Sequence, residues 1–366
     1  MKRYLITFKN EYNKEILSKF NAKDVTEYEY INNVITCLLD DISAEKLSEE
    51  DDVISVELDD VDNFDGLAAT SYTNSYAWLW MGIDRFHAKG IKGDGVKVAV
   101  MDSGIQKHVD LEIKGGVNAY NGSLPYDSNL ANGHGTRVAG VIAAKGIKGN
   151  FVGVAPNVDL YAIRIDDGGG SINRTHWSSQ IAGINWAIQN GMDVVNCSFS
   201  SENDSEARKQ AFKAAADAGI AIFCSGGNRQ GSKSLAEHTV VYPSCYPFVI
   251  TTANLSSNKS RYSTSSVGRG LNFANGGVSI RTTNIDAAKS ISDKYSSNTG
   301  TSYASPATAG IYALYKQMYP NLDRDKILQK MYVNAENLGN PLYFGAGIPK
   351  FPLIEYENIL INGRLL

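Results

Sequence analysis

Three short stretches of this 366-residue chain place a reactive side chain close to glycine. Asp102 lies in VMDSG, His134 in NGHGT and Ser302 in GTSYASPATAG. A carboxylate, an imidazole and a hydroxyl can serve together as an orienting group, a general base and a nucleophile. Nearby glycines remove side-chain bulk, so a partner can approach the reactive group closely. Together the three stretches predict nucleophilic catalysis, provided that the fold brings them together.

Each of these residues taken singly also has a structural interpretation. Asp102 fits a turn or a helix cap, His134 fits a surface position, and Ser302 fits the first position of a helix. Asn228, which follows two glycines in SGGN, fits a left-handed turn. The conjunction of the four, each at the end of a predicted element, favours a catalytic interpretation.

The elements that must position these residues alternate between strand and helix beyond about residue 80. The apolar strand-like stretches are GVKVAVMD, DLYAIRI, MDVVNCSFS, IAIFCSGGN and YPFVITTAN. The helix-like stretches are HGTRVAGVIAA, SQIAGINWAIQNG and ARKQAFKAAADAG. Apolar strands separated by helices predict a parallel sheet covered on both faces, with ligands at the carboxyl ends of strands. Asp102 ends its strand, Asn228 follows its own, and Ser302 opens a long helix-like run.

The first 70 residues differ in charge from the rest of the chain. They contain seven Lys or Arg and seventeen Asp or Glu, a net charge of −10, whereas the remainder carries +6. Opposite charges predict mutual attraction, although acidic residues can equally solvate an exposed small domain. The predicted order is strand 3–8, helix 11–20, strands 27–31 and 34–39, helix 43–51 opened by Ser43, and strand 53–60. This order predicts a small βαββαβ sandwich, followed by a polar linker over residues 61–77.

The overall composition is that of an ordinary globular chain, with 43% apolar and 20% charged residues. No apolar run is long enough to span a bilayer, and we expect neither a membrane span nor a nucleic-acid partner. The start MKRYLITFKN lacks an apolar core and a cleavage site, so we expect a cytoplasmic protein, with export by another route left open. Without CxxC spacing, the four cysteines are expected to be mostly buried free thiols, and these are Cys37, Cys197, Cys224 and Cys245.

The motifs carry a specific resemblance. VAVMDSGI, NGHGTRVAGVIAA and GTSYASPATAG resemble, in this order, the aspartate, histidine and serine motifs of the subtilisin-type serine proteases, or subtilases. The resemblance extends from about residue 80 to 355. It implies an α/β fold for residues 73–366, with a subtilisin-like parallel sheet and helices on both faces. It also implies that residues 1–72 form a small ferredoxin-like α+β domain similar to the family's propeptide.

The resemblance assigns roles to the reactive residues. Ser302 matches the nucleophile, His134 the general base and Asp102 the residue that orients the imidazole. The Asn228 side-chain amide matches a donor to the oxyanion, together with the Ser302 backbone N–H. Ser305, one helical turn later, is expected to be structural. The chemistry implied needs no cofactor.

The chain departs from the family's pattern at several positions. Tyr303 stands where methionine usually follows the nucleophile, and Arg137 stands where a second histidine is common. The loop KGIKGNF lacks the asparagines that hold calcium in the family. We therefore expect no strong calcium site there, and Asp110 is the one residue that matches a ligand.

The resemblance also implies a pocket for the substrate residue that precedes the cut. Its lining residues are Ser198, Phe199, Ser200, Ser225, Gly226, Gly227 and Val241, with Arg229 near the rim. The branched Val241 side chain should shorten the pocket floor and disfavour large aromatic residues. Arg229 either attracts acidic substrate side chains or points into solvent.

These residues predict a serine endopeptidase that acts on peptides or proteins and is made as a self-processed zymogen. Its own propeptide would be an intramolecular inhibitor, cut upstream of Trp80 between Leu67 and Tyr76, for instance at Tyr72. One alternative is a pseudoprotease that serves as a binding module with its acidic region permanently docked. Another is a protease dedicated to the maturation of one protein.

Overall fold

The structure is a computed structural model that describes residues 1–64, 67–68, 75–122, 125–127, 133–148, 151–167, 174–228, 238–352, 360–361 and 364–365. None of the helices within these ranges is both long and apolar enough to cross a membrane. All four cysteines are free thiols, and three of them are buried, as expected.

The first elements form a four-stranded antiparallel sheet in the order β2-β3-β1-β4. The elements are β1 (Lys2–Phe8), α1 (Lys14–Ser18), β2 (Lys23–Glu27), β3 (Val34–Leu39), α2 (Asp41–Leu47) and β4 (Val53–Leu58). Several expected boundaries were wrong; helix α1, for instance, is Lys14–Ser18 and not residues 11–20. Helix α2 begins after Asp40, whose carboxylate accepts the Ser43 N–H at 2.9 Å, so Ser43 is not the cap. The second strand was expected over residues 27–31 but is Lys23–Glu27, and Tyr28 and Ile31 beyond its end pack into the hydrophobic cluster that includes Phe212.

The next elements bridge the expected linker and enter the larger part of the chain. They are β5 (Val61–Phe64), β6 (Leu67–Ala68), α3 (Ser75–Met81) and α4 (Ile83–Ala88). The expectation of an unstructured linker over residues 61–77 was therefore wrong at β5, β6 and α3.

A parallel seven-stranded sheet forms the centre of the larger part, in the order β15-β14-β13-β11-β7-β9-β8. The elements in chain order are β7 (Lys97–Asp102), β8 (Ile113–Asn118), α5 (His134–Ala143), β9 (Asp159–Arg164), β10 (Arg174–His176), α6 (Trp177–Gln189), β11 (Val194–Cys197), β12 (Phe199–Ser200), α7 (Glu206–Asp217), β13 (Ala221–Ser225), β14 (Ile250–Leu255) and β15 (Leu271–Gly276). They are followed by β16 (Ile280–Asn284), β17 (Lys294–Thr299), α8 (Thr301–Met318), α9 (Arg324–Val333), α10 (Pro341–Phe344), β18 (Leu360–Ile361) and β19 (Arg364–Leu365).

Alternate residues of the central strand β7 enter separate cores on the two faces of this sheet. Val98 and Val100 pack with side chains of α5 and α8, whereas Ala99 and Met101 pack with side chains of α6 and α7. Because each face is covered by helices, the strands are apolar on both sides. The predicted α/β fold, a parallel sheet with helices on both faces, is confirmed.

The four-stranded sheet lies against helices α6 and α7. Leu5, Tyr28, Ile31 and Val34 are buried in the same cluster as Phe212 of α7. The Tyr30 backbone N–H also donates to the Asn185 side chain of α6 at 3.0 Å. Residues 1–58 therefore share a hydrophobic core with the outer surface of these two helices.

Candidate active site

Asp102 and His134 are joined side chain to side chain. Asp102 is the last residue of β7, and His134 is the first residue of α5. The His134 Nδ1 atom lies 2.9 Å from each carboxylate oxygen of Asp102, and both residues are buried. The Ser103 backbone N–H donates to Asp102 Oδ1 at 2.7 Å and fixes the carboxylate further. A proton held at Nδ1 makes the other ring nitrogen a proton acceptor.

The glycine that follows His134 is required by this close approach. A Cβ atom on Gly135 would lie 2.3 Å from the Gly104 carbonyl oxygen and 3.1 Å from Asp102 Oδ1. The Gly135 N–H also donates to Ser103 Oγ at 3.0 Å. The start of α5 can thus sit against the end of β7 only because position 135 lacks a side chain.

Ser302 is the second residue of α8 and is completely buried. Its hydroxyl donates to the Ser198 carbonyl oxygen at 3.4 Å, and the Ser198 hydroxyl donates to the Ser302 carbonyl oxygen at 3.3 Å. The ring of the next residue, Tyr303, has its centroid 6.1 Å from that of His134. Ser302 is thus hydrogen-bonded to Ser198, and the residue that follows it lies beside the imidazole.

Ser305, the other serine of this motif, has a different environment. Its hydroxyl donates to Asn196 Oδ1 at 3.0 Å inside the protein core. This contact fits the structural role expected for it.

Asn228 follows β13, and its side chain is oriented by Thr301, a contact that the sequence did not predict. Its side-chain oxygen accepts hydrogen bonds from the Thr301 backbone N–H at 3.0 Å and the Thr301 hydroxyl at 3.2 Å. Because the carbonyl end faces Thr301, the NH₂ end faces the opposite way. An amide donor is thereby anchored to the residue just before Ser302, and the SGGN motif alone gives no signal of this partner.

The expected pocket residues lie on neighbouring segments. Ser198 precedes β12, which consists of Phe199 and Ser200, while Ser225 ends β13 and is followed by Gly226 and Gly227. A Cβ atom on Gly227 would lie 3.3 Å from Val241 Cγ2, so the valine side chain packs directly against this glycine. Arg229 lies outside the described residues.

Asp110 is fully buried, and hydrogen-bond donors surround its carboxylate. The backbone N–H groups of Ile147 and Lys148 donate to Oδ1 at 2.6 and 3.3 Å, and the Tyr295 hydroxyl donates to Oδ2 at 2.7 Å. A calcium site needs several converging oxygen ligands, not N–H donors. This arrangement therefore does not fit a calcium ligand, and the described residues contain no group of three or more acidic, His or Cys side chains suited to a metal ion.

The carboxylate of Asp59, on the segment after β4, was also missed by sequence reasoning. It accepts the Ser178 backbone N–H at 2.8 Å and also contacts the Ser178 hydroxyl. Burial raises the pKa of Asp59 above its ordinary value, and the hydrogen bonds from Ser178 oppose this rise. The acidic VELDD sequence was the available signal, but it does not reveal which helix the carboxylate meets.

The chain is similar in sequence to a known protein family and to well-described bacterial proteins. Residues 93–347 match the family model described as the Subtilase family. Subtilisin DY from Bacillus licheniformis is 40% identical over 266 residues, which cover 72% of this chain and 92% of that protein. Subtilisin NAT from Bacillus subtilis subsp. natto is 33% identical over 360 residues, which cover 95% of this chain and 88% of that protein. A match of this coverage includes most of residues 1–72.

A solved structure supports the fold. The crystal structure of fervidolysin from Fervidobacterium pennivorans, a keratinolytic enzyme related to subtilisin, is similar with a TM-score of 0.80 and 24% sequence identity. The similarity covers 95% of this chain, and the chain spans 60% of the fervidolysin chain. At this identity the likeness concerns the fold alone.

Proposed function

This chain belongs to the subtilase family and is a subtilisin-type serine endopeptidase, and from this premise we propose that Asp102, His134 and Ser302 are its catalytic triad. The observation that carries the proposal is the contact between His134 Nδ1 and both Asp102 carboxylate oxygens, each at 2.9 Å. The imidazole lies beside Tyr303, on the helix that carries Ser302. Subtilases act on peptide bonds without a cofactor.

The proposed mechanism follows from the roles that these side chains can take. His134 removes the Ser302 hydroxyl proton as the oxygen attacks the substrate carbonyl carbon, and it then delivers that proton to the leaving amine. Asp102 holds the imidazole in the tautomer that can accept the proton and stabilises its cationic form. Water releases the acyl group by the same sequence of proton transfers.

Asn228 is proposed to stabilise the negative charge that develops on the carbonyl oxygen. Its side-chain oxygen is anchored by Thr301, and in this role its NH₂ group donates to the oxyanion in concert with the Ser302 backbone N–H. In subtilisins, loss of the equivalent asparagine donor lowers kcat by about 10²- to 10³-fold.

Residues 1–72 are proposed to be an intramolecular inhibitor. Glu57 supports this role, because its carboxylate accepts the Ser205 hydroxyl and the Glu206 N–H, both at 2.8 Å, at the start of α7. Asp59 accepts the Ser178 N–H at the start of α6. Helix N-termini carry partial positive charge, which favours the Glu57 carboxylate at α7, and the Ser178 N–H at α6 offsets part of the cost of burying Asp59.

The burial of the triad gives further support. Asp102 and Ser302 are completely buried, and His134 is 2% exposed. Strand β5 pairs with β12, the strand that follows Ser198. A substrate that must reach Ser302 therefore has to displace the segment that follows residue 60. This predicts low activity until that segment is cut and released.

The proposed nucleophile is tested with two serine variants of the same helix. Ser302→Ala should fold and lose peptidase activity. Ser305→Ala should still react with a serine-directed phosphonylating reagent, because the Ser305 hydroxyl donates to Asn196 in the core. Wild-type peptidase activity in Ser302→Ala would refute the assignment.

A further inference from the structure

Asn196 is a polar residue on an apolar face of the seven-stranded sheet. It lies on β11, level with Val100 of β7 and Phe223 of β13 in the strand register. Both neighbours belong to the hydrophobic cluster that includes side chains of α5 and α8, and Asn196 is itself completely buried. A buried amide lowers stability unless its donor and its acceptor both find partners. The partners of Asn196 therefore indicate what it does.

Both ends of the Asn196 side chain are hydrogen-bonded, and one end leads to the nucleophile. Asn196 Oδ1 accepts the Ser305 hydroxyl at 3.0 Å, and Asn196 Nδ2 donates to Ser198 Oγ at 3.0 Å. The Ser198 hydroxyl in turn donates to the Ser302 carbonyl oxygen at 3.3 Å. All four residues are completely buried. Three consecutive hydrogen bonds thus connect Ser305 with the backbone of Ser302 inside the protein.

The direction of these three hydrogen bonds is set at the Ser302 end. The Ser302 carbonyl oxygen can only accept, so the Ser198 hydroxyl donates its single proton there and accepts from Asn196. The NH₂ group of Asn196 therefore faces Ser198, and the amide oxygen faces the Ser305 hydroxyl. A side chain without a donor at position 196 would leave the Ser198 oxygen without this partner and its hydroxyl free to turn away from Ser302.

We propose that Asn196 is a positioning residue for catalysis, because through Ser198 it fixes the Ser302 backbone where the Ser302 hydroxyl can pass its proton to His134. The Ser302 hydroxyl also donates to the Ser198 carbonyl oxygen at 3.4 Å, so Ser198 contacts both the backbone and the side chain of the nucleophile. A small displacement of a reacting group lowers the rate strongly, since the reacting atoms must meet in a narrow range of geometry. The inference rests on the proposed function of Ser302.

A purely structural role of Asn196 makes a different prediction. The Ser305 contact shows that the same amide also joins α8 to β11. If Asn196 only stabilised the packing of α8, the loss of either of its hydrogen bonds would lower stability and leave turnover by the folded enzyme intact. A positioning role requires that the contact with Ser198, and not the contact with Ser305, controls turnover.

The experiment compares the self-cleaved wild-type enzyme with Asn196→Leu, Ser198→Ala and the double variant on a p-nitroanilide peptide that has alanine before the cut. Rates are expressed per active site, counted by fluorophosphonate titration. Each single variant should lower kcat about 10-fold or more. The KM should change by less than about 3-fold, because substrate contacts are retained. The double variant should be within about 2-fold of the slower single variant, since both substitutions break one connection.

Ser305→Ala is the matched control, since it removes the other hydrogen bond of the same amide and keeps the connection to Ser198. Its free energy of unfolding should fall, while its kcat should stay within about 3-fold of wild type. If Asn196→Leu does not fold, the comparison of Ser198→Ala with Ser305→Ala decides alone. An equal loss of kcat in these two variants, wild-type kcat in Ser198→Ala, or additive losses in the double variant would overturn the role of Asn196.

Failure of the proposed function gives a different result. Wild-type peptidase activity in Ser302→Ala would show that Ser302 is not the nucleophile. An inactive Ser302→Ala, together with unchanged kcat in Asn196→Leu and Ser198→Ala, would overturn only the positioning role of Asn196.

Discussion

Arg137 Nε donates a hydrogen bond to the Tyr303 hydroxyl at 3.3 Å, and so connects the helix that begins with His134 to the helix that carries Ser302. The same guanidinium donates to Asn284 Oδ1 at 3.1 Å. Burial raises the pKa of Tyr303, which keeps its hydroxyl neutral. The two departures from the family motifs, at 137 and 303, are thus direct partners.

This pair predicts an asymmetric response to mutation. Tyr303 is 1% exposed, whereas Arg137 is only half-buried and can be solvated when its partner is lost. Arg137→Ala should lower the free energy of unfolding by about 1–3 kcal/mol, because it leaves a buried hydroxyl without this donor. Tyr303→Phe should cost less. The stabilities of both variants are measured by urea unfolding in the Ser302→Ala background. Asn284→Ala serves to subtract the contact between Arg137 and Asn284. An equal or larger loss of stability in Tyr303→Phe than in Arg137→Ala would contradict the interpretation.

The Tyr295 hydroxyl should stabilise the fold where the family uses calcium. Tyr295→Phe removes a donor to the buried Asp110 carboxylate and should lower the free energy of unfolding by about 1–3 kcal/mol. Addition of a calcium chelator to the parent chain should change stability less than this substitution does. The control is the exposed Tyr30→Phe, and the comparison is made by thermal unfolding. A larger effect of the chelator than of Tyr295→Phe would show that calcium is the main stabiliser.

Val241 should limit the size of the substrate residue before the cut. Its Cγ2 packs against Gly227, so Val241→Gly should deepen the pocket and raise the kcat/KM ratio of Phe to Ala peptides by about 10-fold or more. Val240→Gly, the neighbouring substitution, controls for added backbone freedom. If wild type already prefers large aromatic residues strongly, the role given to Val241 is wrong.

How far the sequence predicts this site depends on the range of the contacts. Asp102, His134 and Ser302 could be proposed from the sequence because each lies in a local motif at one end of an element. The donors to Asp110 could not, since Tyr295 is 185 residues away in the chain. Strand β5 was expected to be linker for the same reason, because its strand partners lie beyond residue 170. Fold class follows from local periodicity, whereas strand pairing across the active site depends on the assembled structure.

Asp59 should make stability depend on pH in a defined direction. Burial raises its pKa in the folded chain, while Ser178, His176 and Arg3 act in the opposite direction. The protonated form is therefore favoured by folding. The contribution of Asp59 to the free energy of unfolding is fully present below the ordinary Asp pKa of about 3.9. It is lost as pH rises through the raised pKa of the folded chain.

The corresponding experiment compares Asp59→Asn with its parent in the Ser302→Ala background by urea unfolding between about pH 4 and 7. The stability of the parent relative to Asp59→Asn should fall as pH rises through this range. Asp51→Asn, at an exposed position of the same sheet domain, is the matched control. A difference that grows with rising pH would contradict the sign derived from burial.

The central claim is that Ser302 is the nucleophile activated by His134. The most direct measurement is peptide mapping by mass spectrometry after the active, self-cleaved enzyme has reacted with a fluorophosphonate. A single adduct on Ser302 is expected, with loss of peptidase activity in proportion to labelling and at least 100-fold slower labelling in His134→Ala. An adduct on Ser305 or another serine, or full activity in protein labelled at Ser302, would contradict the claim.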